Sequence, residues 1–204
     1  KGVEQVKVLA RHWQEVGEQF DHVYSGTLLR QRETANELLP LVKGAPSAST
    51  ENPSFNEYNG DPLMRVYLRD HAAQEGFDVP IAWPIKDERL FQRIFEAACA
   101  KWIRGELTPS NAEANFEHWA DFQDRVHTAI DEIMVRHNEG ARVLVSTSGG
   151  VIAMVLQRVL QFPDDAVITT NWMVRNSSVS RIKYGRGKLS LTQFNSLPHL
   201  ERAG

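Results

Sequence analysis

Along the first twenty positions, apolar residues recur at steps of three and four. Val3, Val6, Leu9, Ala10, Trp13, Val16 and Phe20 share one stripe, which predicts an amphipathic helix over residues 2 to about 20. The pattern then changes. Residues 22–24 read as a short strand running into the turn Ser25-Gly26-Thr27, and residues 30–39 as a second helix stopped near Pro40. Gly, Pro, Ser and Asn crowd residues 44–62, which predicts a loop. Within that loop, Phe55-Asn56-Glu57-Tyr58 sets an acidic residue between aromatics.

From residue 63 to about 160 the periodicity is mostly helical. Residues 88–103 make one helix, ended by Arg104-Gly105, a basic residue and a glycine at its C-terminal end. Another spans about 112–135, with Phe116, Trp119, Phe122, Val126, Ile130 and Ile133 on one face. Residues 76–84 form an irregular linker. We read residues 63–138 as a helical insertion; its aromatics recur at helical spacing, as core packing demands, and a cap over a pocket is compatible with the same pattern. Residues 142–146 are a continuous apolar run, read as a buried parallel strand. Ser148-Gly149-Gly150 follows, and residues 151–160 supply the next helix. Residues 178–194 read as two strands around Tyr184-Gly185-Arg186-Gly187, a hairpin.

Strand, turn, helix, met twice, predicts an α/β fold: a three-layer, doubly wound, mostly parallel sheet with a helical cap insertion, in a single domain over residues 1–204. Ligands in such sheets sit beyond the carboxyl ends of the strands. The turns at 25–30 and 146–150 both fall at that edge, so they can line one pocket although they lie far apart in sequence.

Composition adds mainly exclusions. The chain of 204 residues is 42 % hydrophobic and 24 % charged, ordinary values for a folded protein. A formal charge of −3 gives no electrostatic footprint for nucleic acid or an anionic membrane. No apolar run approaches the roughly 20 residues that cross a bilayer, and no secretory leader pattern opens the sequence. The single cysteine, Cys99, has neither a disulfide partner nor C-x-x-C spacing. These features predict a cytoplasmic protein.

The chemistry lies in the two turns. Arg30 sits in the frame Ser25-Gly-Thr-Leu28-Leu-Arg30-Gln-Arg-Glu-Thr34-Ala35. A guanidinium is planar, permanently charged and able to donate two parallel hydrogen bonds to a phosphoryl group. Outside that frame it would read as a surface arginine. In Val143-Leu-Val-Ser146-Thr-Ser148-Gly149-Gly150-Val-Ile152, the glycines let the backbone pass close to an anion, and a helix N-terminus presents free N–H groups; the plainer alternative is an ordinary small-residue cap. Both stretches resemble the signatures of the histidine phosphatase superfamily, the phosphoglycerate-mutase-like phosphatases. The resemblance implies attack by a histidine on a phosphate monoester, a phosphohistidine intermediate, and hydrolysis by water without metal or cofactor. It gives Arg30, Ser148 and Gly149 to the phosphoryl oxygens and Glu57 to protonation of the leaving oxygen. The flanking aromatics of Glu57 would favour its protonated form.

Two departures stand out. The family's second catalytic histidine is replaced by Ser148, which can bond a phosphate but brings no positive charge. Its Arg-His-Gly strand end is absent, and Arg11-His12 cannot replace it, since Trp13 stands where glycine is needed and the pair is mid-helix. Lys1-Gly2-Val3-Glu4-Gln5 looks like the family's helix start that follows the nucleophile, so the expectation is a further strand upstream of residue 1, central in the sheet. His199, Arg175 and Arg181 are candidates to supply the charge that Ser148 lacks. His22, His71, His118, His127 and His137 have no metal-ligand spacing and read as core or surface residues. The expected partner is a small phosphorylated substrate or phosphate. The alternative is a relative that binds a phosphorylated ligand or partner without turnover. A hydrolase using Ser148 as nucleophile is disfavoured, because Ser146 occupies the place of the first glycine of a Gly-x-Ser-x-Gly elbow.

Overall fold

The strand at the first turn lies in the middle of a parallel trio. In the computed structural model, which describes residues 2–137 and 140–201, β1 (His22–Ser25) pairs with β3 (Val143–Ser146) on one side and β2 (Thr50–Glu51) on the other. The register is His22 opposite Val143 and Tyr24 opposite both Val145 and Thr50. A separate antiparallel pair, β4 (Val179–Gly185) and β5 (Lys188–Ser196), is the predicted hairpin. With its helices, this is the α/β fold with a parallel sheet that the sequence predicts.

The chain divides into two compact units, one of residues 2–57 with 125–201 and one of Tyr58–Asp124. In the first, α1 (Gly2–Glu15) lays Val6, Leu9 and Trp13 against Phe20, Val23, Ala35, Leu38, Leu41 and Val42. Trp13 and Phe20 meet with ring centres 5.2 Å apart. The helix stops at Glu15, short of the predicted end. Gly17 adopts a left-handed φ of +69°, and Phe20 forms a parallel bridge to Val42 instead of a further helical turn. α2 (Leu29–Leu38) follows the β1 turn, and α6 (Gly149–Leu160) follows the β3 turn.

In the second unit, α3 (Gly60–Asp70) and α4 (Glu88–Ile103) bury Leu63, Met64, Val66, Tyr67, Ile94 and Trp102. The Trp102 ring meets Tyr58 at 5.0 Å and stands edge-on to Trp119 at 4.9 Å, and its Nε1 donates to Glu117 O at 2.7 Å. α5 (Trp119–Arg136) starts seven residues later than predicted. The cause is local. Ser110 and Glu113 bond each other's ends and close a separate 3₁₀ turn, Asn111–Glu113, that does not continue into the helix.

Three elements escaped the sequence reading. β2 has two residues. α7 (Asp165–Met173) scatters its apolar residues among Thr169, Thr170 and Asn171, so it shows no stripe. α8 (Pro198–Glu201) is a single turn. One expectation is corrected: β3 is not fully buried, since Val143, Leu144 and Val145 are partly exposed and Ser146 alone is buried. The reason is that, among the described residues, no strand pairs with the far edge of β3, nor with the outer edge of β4. Both edges line one open groove of about 1480 Å³, together with Trp13 and Arg30.

Candidate active site

The β1 turn and the β3 turn converge. Arg30, in the first turn of α2, donates to Ser148 Oγ through Nη2 at 3.2 Å and Nε at 3.3 Å. Gln31 Nε2 donates to the same oxygen at 2.9 Å and to Phe55 O at 2.9 Å. Glu57 Oε2 accepts from the Gly150 N–H at 2.9 Å, at the amino end of α6; this contact favours the charged carboxylate and opposes the protonated form that the flanking aromatics predict. A cation, a hydroxyl, a helix N-terminus and a carboxylic side chain thus meet at the carboxyl ends of β1 and β3. Ser148 Oγ makes no capping bond to its own helix, which excludes the ordinary-cap reading of this serine.

The surrounding loops hold this arrangement in place. Asn56 Oδ1 accepts from Thr27 N at 2.7 Å while its Nδ2 donates to Thr27 Oγ1 at 2.8 Å, tying the Glu57 loop to the β1 turn. Thr147 Oγ1 donates to Phe55 O at 2.7 Å, and Ser146 Oγ to Gln31 O at 2.8 Å. Gly26 has no room for a side chain, because a Cβ there would overlap Gln31 and Asn56. A Cβ at Gly149 would overlap Asn171 of α7.

Two of the three proposed accessory groups, Arg181 and His199, are bonded to other residues. The Arg181 guanidinium bonds Glu18, through Nη2 at 2.8 Å, and Gln193. Arg142 pairs with the same Glu18. His199 is buried, with Nε2 2.9 Å from Ser177 Oγ and Nδ1 without a partner among the described residues. Burial, and then the nearby His12, lower its pKa, so it resists carrying a positive charge. Arg175 is exposed and lines the groove, with its backbone N–H bonded to Asn195. Of the remaining residues, Arg32 forms an ion pair with Glu51 at 3.1 Å, and His22 stacks on His137 with ring centres 3.8 Å apart. Sequence reasoning overlooked Gln31, Asn56 and Thr147. Gln31 could have drawn notice as a polar residue on the inward side of α2.

The profile of the histidine phosphatase superfamily (branch 1) matches residues 82–197, more than half of the chain. The chain belongs to that superfamily. The matched stretch includes Ser148 and Gly149; Arg30 and Glu57 precede it. Among solved structures, the chain is similar to a phosphoglycerate mutase from Bacillus anthracis, at 20 % identity over 98 % of this chain and 82 % of that one, with a TM-score of 0.64. It also resembles the alpha-ribazole phosphatase from Shigella flexneri, at 20 % identity over 95 % and 81 % of the two chains, TM-score 0.60. A third similar structure is a phosphoserine phosphatase mutant from Entamoeba histolytica in complex with phosphoserine, at 15 % identity over 97 % and 83 %, TM-score 0.60. At such identities these likenesses establish the histidine phosphatase fold alone. Comparison with curated proteins finds no match.

Proposed function

We propose that this histidine phosphatase relative hydrolyses phosphate monoesters of small molecules. The observation that carries the reading is the convergence of Arg30, Ser148 and Glu57 at one sheet edge. Arg30 and the Ser148–Gly149 turn hold the phosphoryl oxygens. A histidine upstream of residue 1 attacks phosphorus through a ring nitrogen, and the phosphorus–oxygen ester bond breaks as Glu57 gives its proton to the leaving oxygen. Water then attacks the phosphohistidine, Glu57 takes up a proton, and phosphate leaves with the histidine regenerated. The groove lined by β3 and β4 supports a strand carrying that histidine, because among the described residues it offers two edges without strand partners.

Turnover of p-nitrophenyl phosphate by protein extended upstream of residue 1 tests this reading. Loss of turnover on changing the upstream histidine, and on Arg30→Ala, is the expected result. Glu57→Gln should slow alkyl phosphates by about 10²–10⁴-fold and p-nitrophenyl phosphate much less, since a good leaving group needs little protonation. Turnover that survives Arg30→Ala overturns the assignment.

One observation favours a second reading, a binding protein without turnover. Ser148 supplies a neutral contact where the family pattern has a histidine, and Arg181 and His199 are bonded to other groups. Phosphate binding with no turnover in the extended protein selects it.

A further inference from the structure

The bonding around Ser148 draws in Gln31, a residue inside the Arg30 frame to which the sequence pattern gives no role. A hydroxyl has two acceptor positions and one hydrogen to donate. Both acceptor positions of Ser148 Oγ are taken from the protein side, one by Gln31 Nε2 at 2.9 Å and one by Arg30 through Nη2 and Nε at 3.2 and 3.3 Å. Neither partner can accept the serine hydrogen in return. A guanidinium has no acceptor. The carboxamide is oriented by two backbone groups of opposite polarity: its oxygen accepts from Leu28 N at 3.3 Å, and its nitrogen donates to Phe55 O at 2.9 Å. That pairing fixes which end of Gln31 faces Ser148. The side chain is held there by burial, at 1 % exposure, and by the close approach of Gly26. The Ser148 O–H is left with one direction, toward the groove that Ser148 lines with Arg30, Glu57 and Gly149.

We propose that Gln31 is a positioning residue that locks Ser148 as an outward hydrogen-bond donor to a phosphoryl oxygen. The proposal rests on the phosphate-site reading above and deepens it. The phosphoryl group is then held by one cation, Arg30, and one neutral donor that does not titrate between pH 5 and 9. A histidine in place of Ser148 would make the same contact pH-dependent near its usual pKa of about 6.5.

Calorimetric titration of the full chain with inorganic phosphate tests this. Gln31→Met keeps the volume and removes the donor, and Ser148→Ala removes the hydroxyl. Each should weaken phosphate binding about tenfold, the size of a hydrogen bond to a charged group. The double variant should also lose about tenfold, not a hundredfold, because Gln31 acts only through Ser148. Ser148→Thr, which keeps the hydroxyl, should bind as the unmodified chain does. Ser148→His should show a fall in affinity across the imidazole range beyond the change that the ionisation of phosphate itself gives the unmodified chain.

A glutamine with a purely structural role gives a lower melting temperature in Gln31→Met with unchanged affinity, or losses that multiply in the double variant. Either result overturns the proposal while leaving the phosphate site standing. If Gln31→Met does not fold, Gln31→Glu replaces it. Its carboxylate turns the Ser148 hydrogen inward, so phosphate binding equal to that of the unmodified chain overturns the proposal. Unchanged affinity in Ser148→Ala, a substitution in a half-buried turn, does so by itself. An unmodified chain that binds no phosphate, or binds it equally well after Arg30→Ala, removes the phosphate-site reading and this inference with it.

Discussion

The segment Tyr58–Asp124 and the β3–β4 groove use similar apolar residues to opposite ends. In the former, Trp102 is 1 % exposed, Tyr67 and Phe122 are fully covered, and the rings of Tyr58, Trp119 and Phe122 pack against Trp102. Along the latter, Val143, Leu144 and Val145 stay partly exposed, and among the described residues no strand pairs with that edge of β3. Helices bury an apolar stripe with backbone bonds already made, whereas a strand edge needs a partner for its backbone as well as its side chains. A helical unit can therefore close its own core. A sheet stays open until its strands are adjacent.

Core truncation measures that contrast directly. Trp102→Ala should cost about 3–5 kcal/mol in chemical unfolding, since it deletes a fully packed ring and the Nε1 donor to Glu117 O. Leu144→Ala should cost less, about 1–2 kcal/mol, because its side chain is only partly buried and already meets solvent in the groove. Equal losses would mean that the groove is as well packed as the helical unit.

A smaller effect is expected from pH. His137 stacks on His22, and its Nε2 lies 2.8 Å from Tyr24 Oη. Burial first, then His22 and Arg136, hold its pKa below the ordinary value, as burial and His12 do for His199. The folded state therefore prefers these imidazoles neutral. Below the unfolded imidazole pKa of about 6.5 the unfolded chain binds more protons, so stability falls as pH drops from there and is unaffected by these groups well above it. Melting temperatures from pH 8 to pH 5 check the sign; His137→Gln should flatten the decline.

The smallest signal is chemical. Burial pushes the Cys99 thiol up to about 12 and leaves it 1 % exposed. Native protein at pH 8 should resist alkylation until Tyr58–Asp124 opens, and Trp102→Ala should speed the reaction where Leu144→Ala does not. Rapid labelling of native protein would show that this segment is less closed than its packing implies.

Much of the fold was legible where periodicity is strong. The helix Glu88–Ile103 has the bounds that its apolar stripe and terminal Arg104-Gly105 predict. Elements without a stripe were not legible: α7 scatters its apolar residues among Thr169, Thr170 and Asn171, and β2 exists only because two exposed residues pair with β1. In the site, Arg30, Ser148, Gly149 and Glu57 stood out by residue type and turn context, and the structure brings them together. Gln31 did not stand out. Its importance comes from which atoms face it, and a single glutamine on a helix carries no motif.

Taken alone, the amino-acid order determined the helix stripes, the two strand–turn–helix corners and the residue types placed there, because these depend on neighbours within a few positions. Only the tertiary structure decided that Arg30 and Gln31 reach a serine 118 and 117 positions away, that Arg181 turns to Glu18, and that β3 keeps an open edge. Those outcomes depend on which distant groups compete for the same hydrogen bonds and the same cover. That competition exists only once the chain has folded.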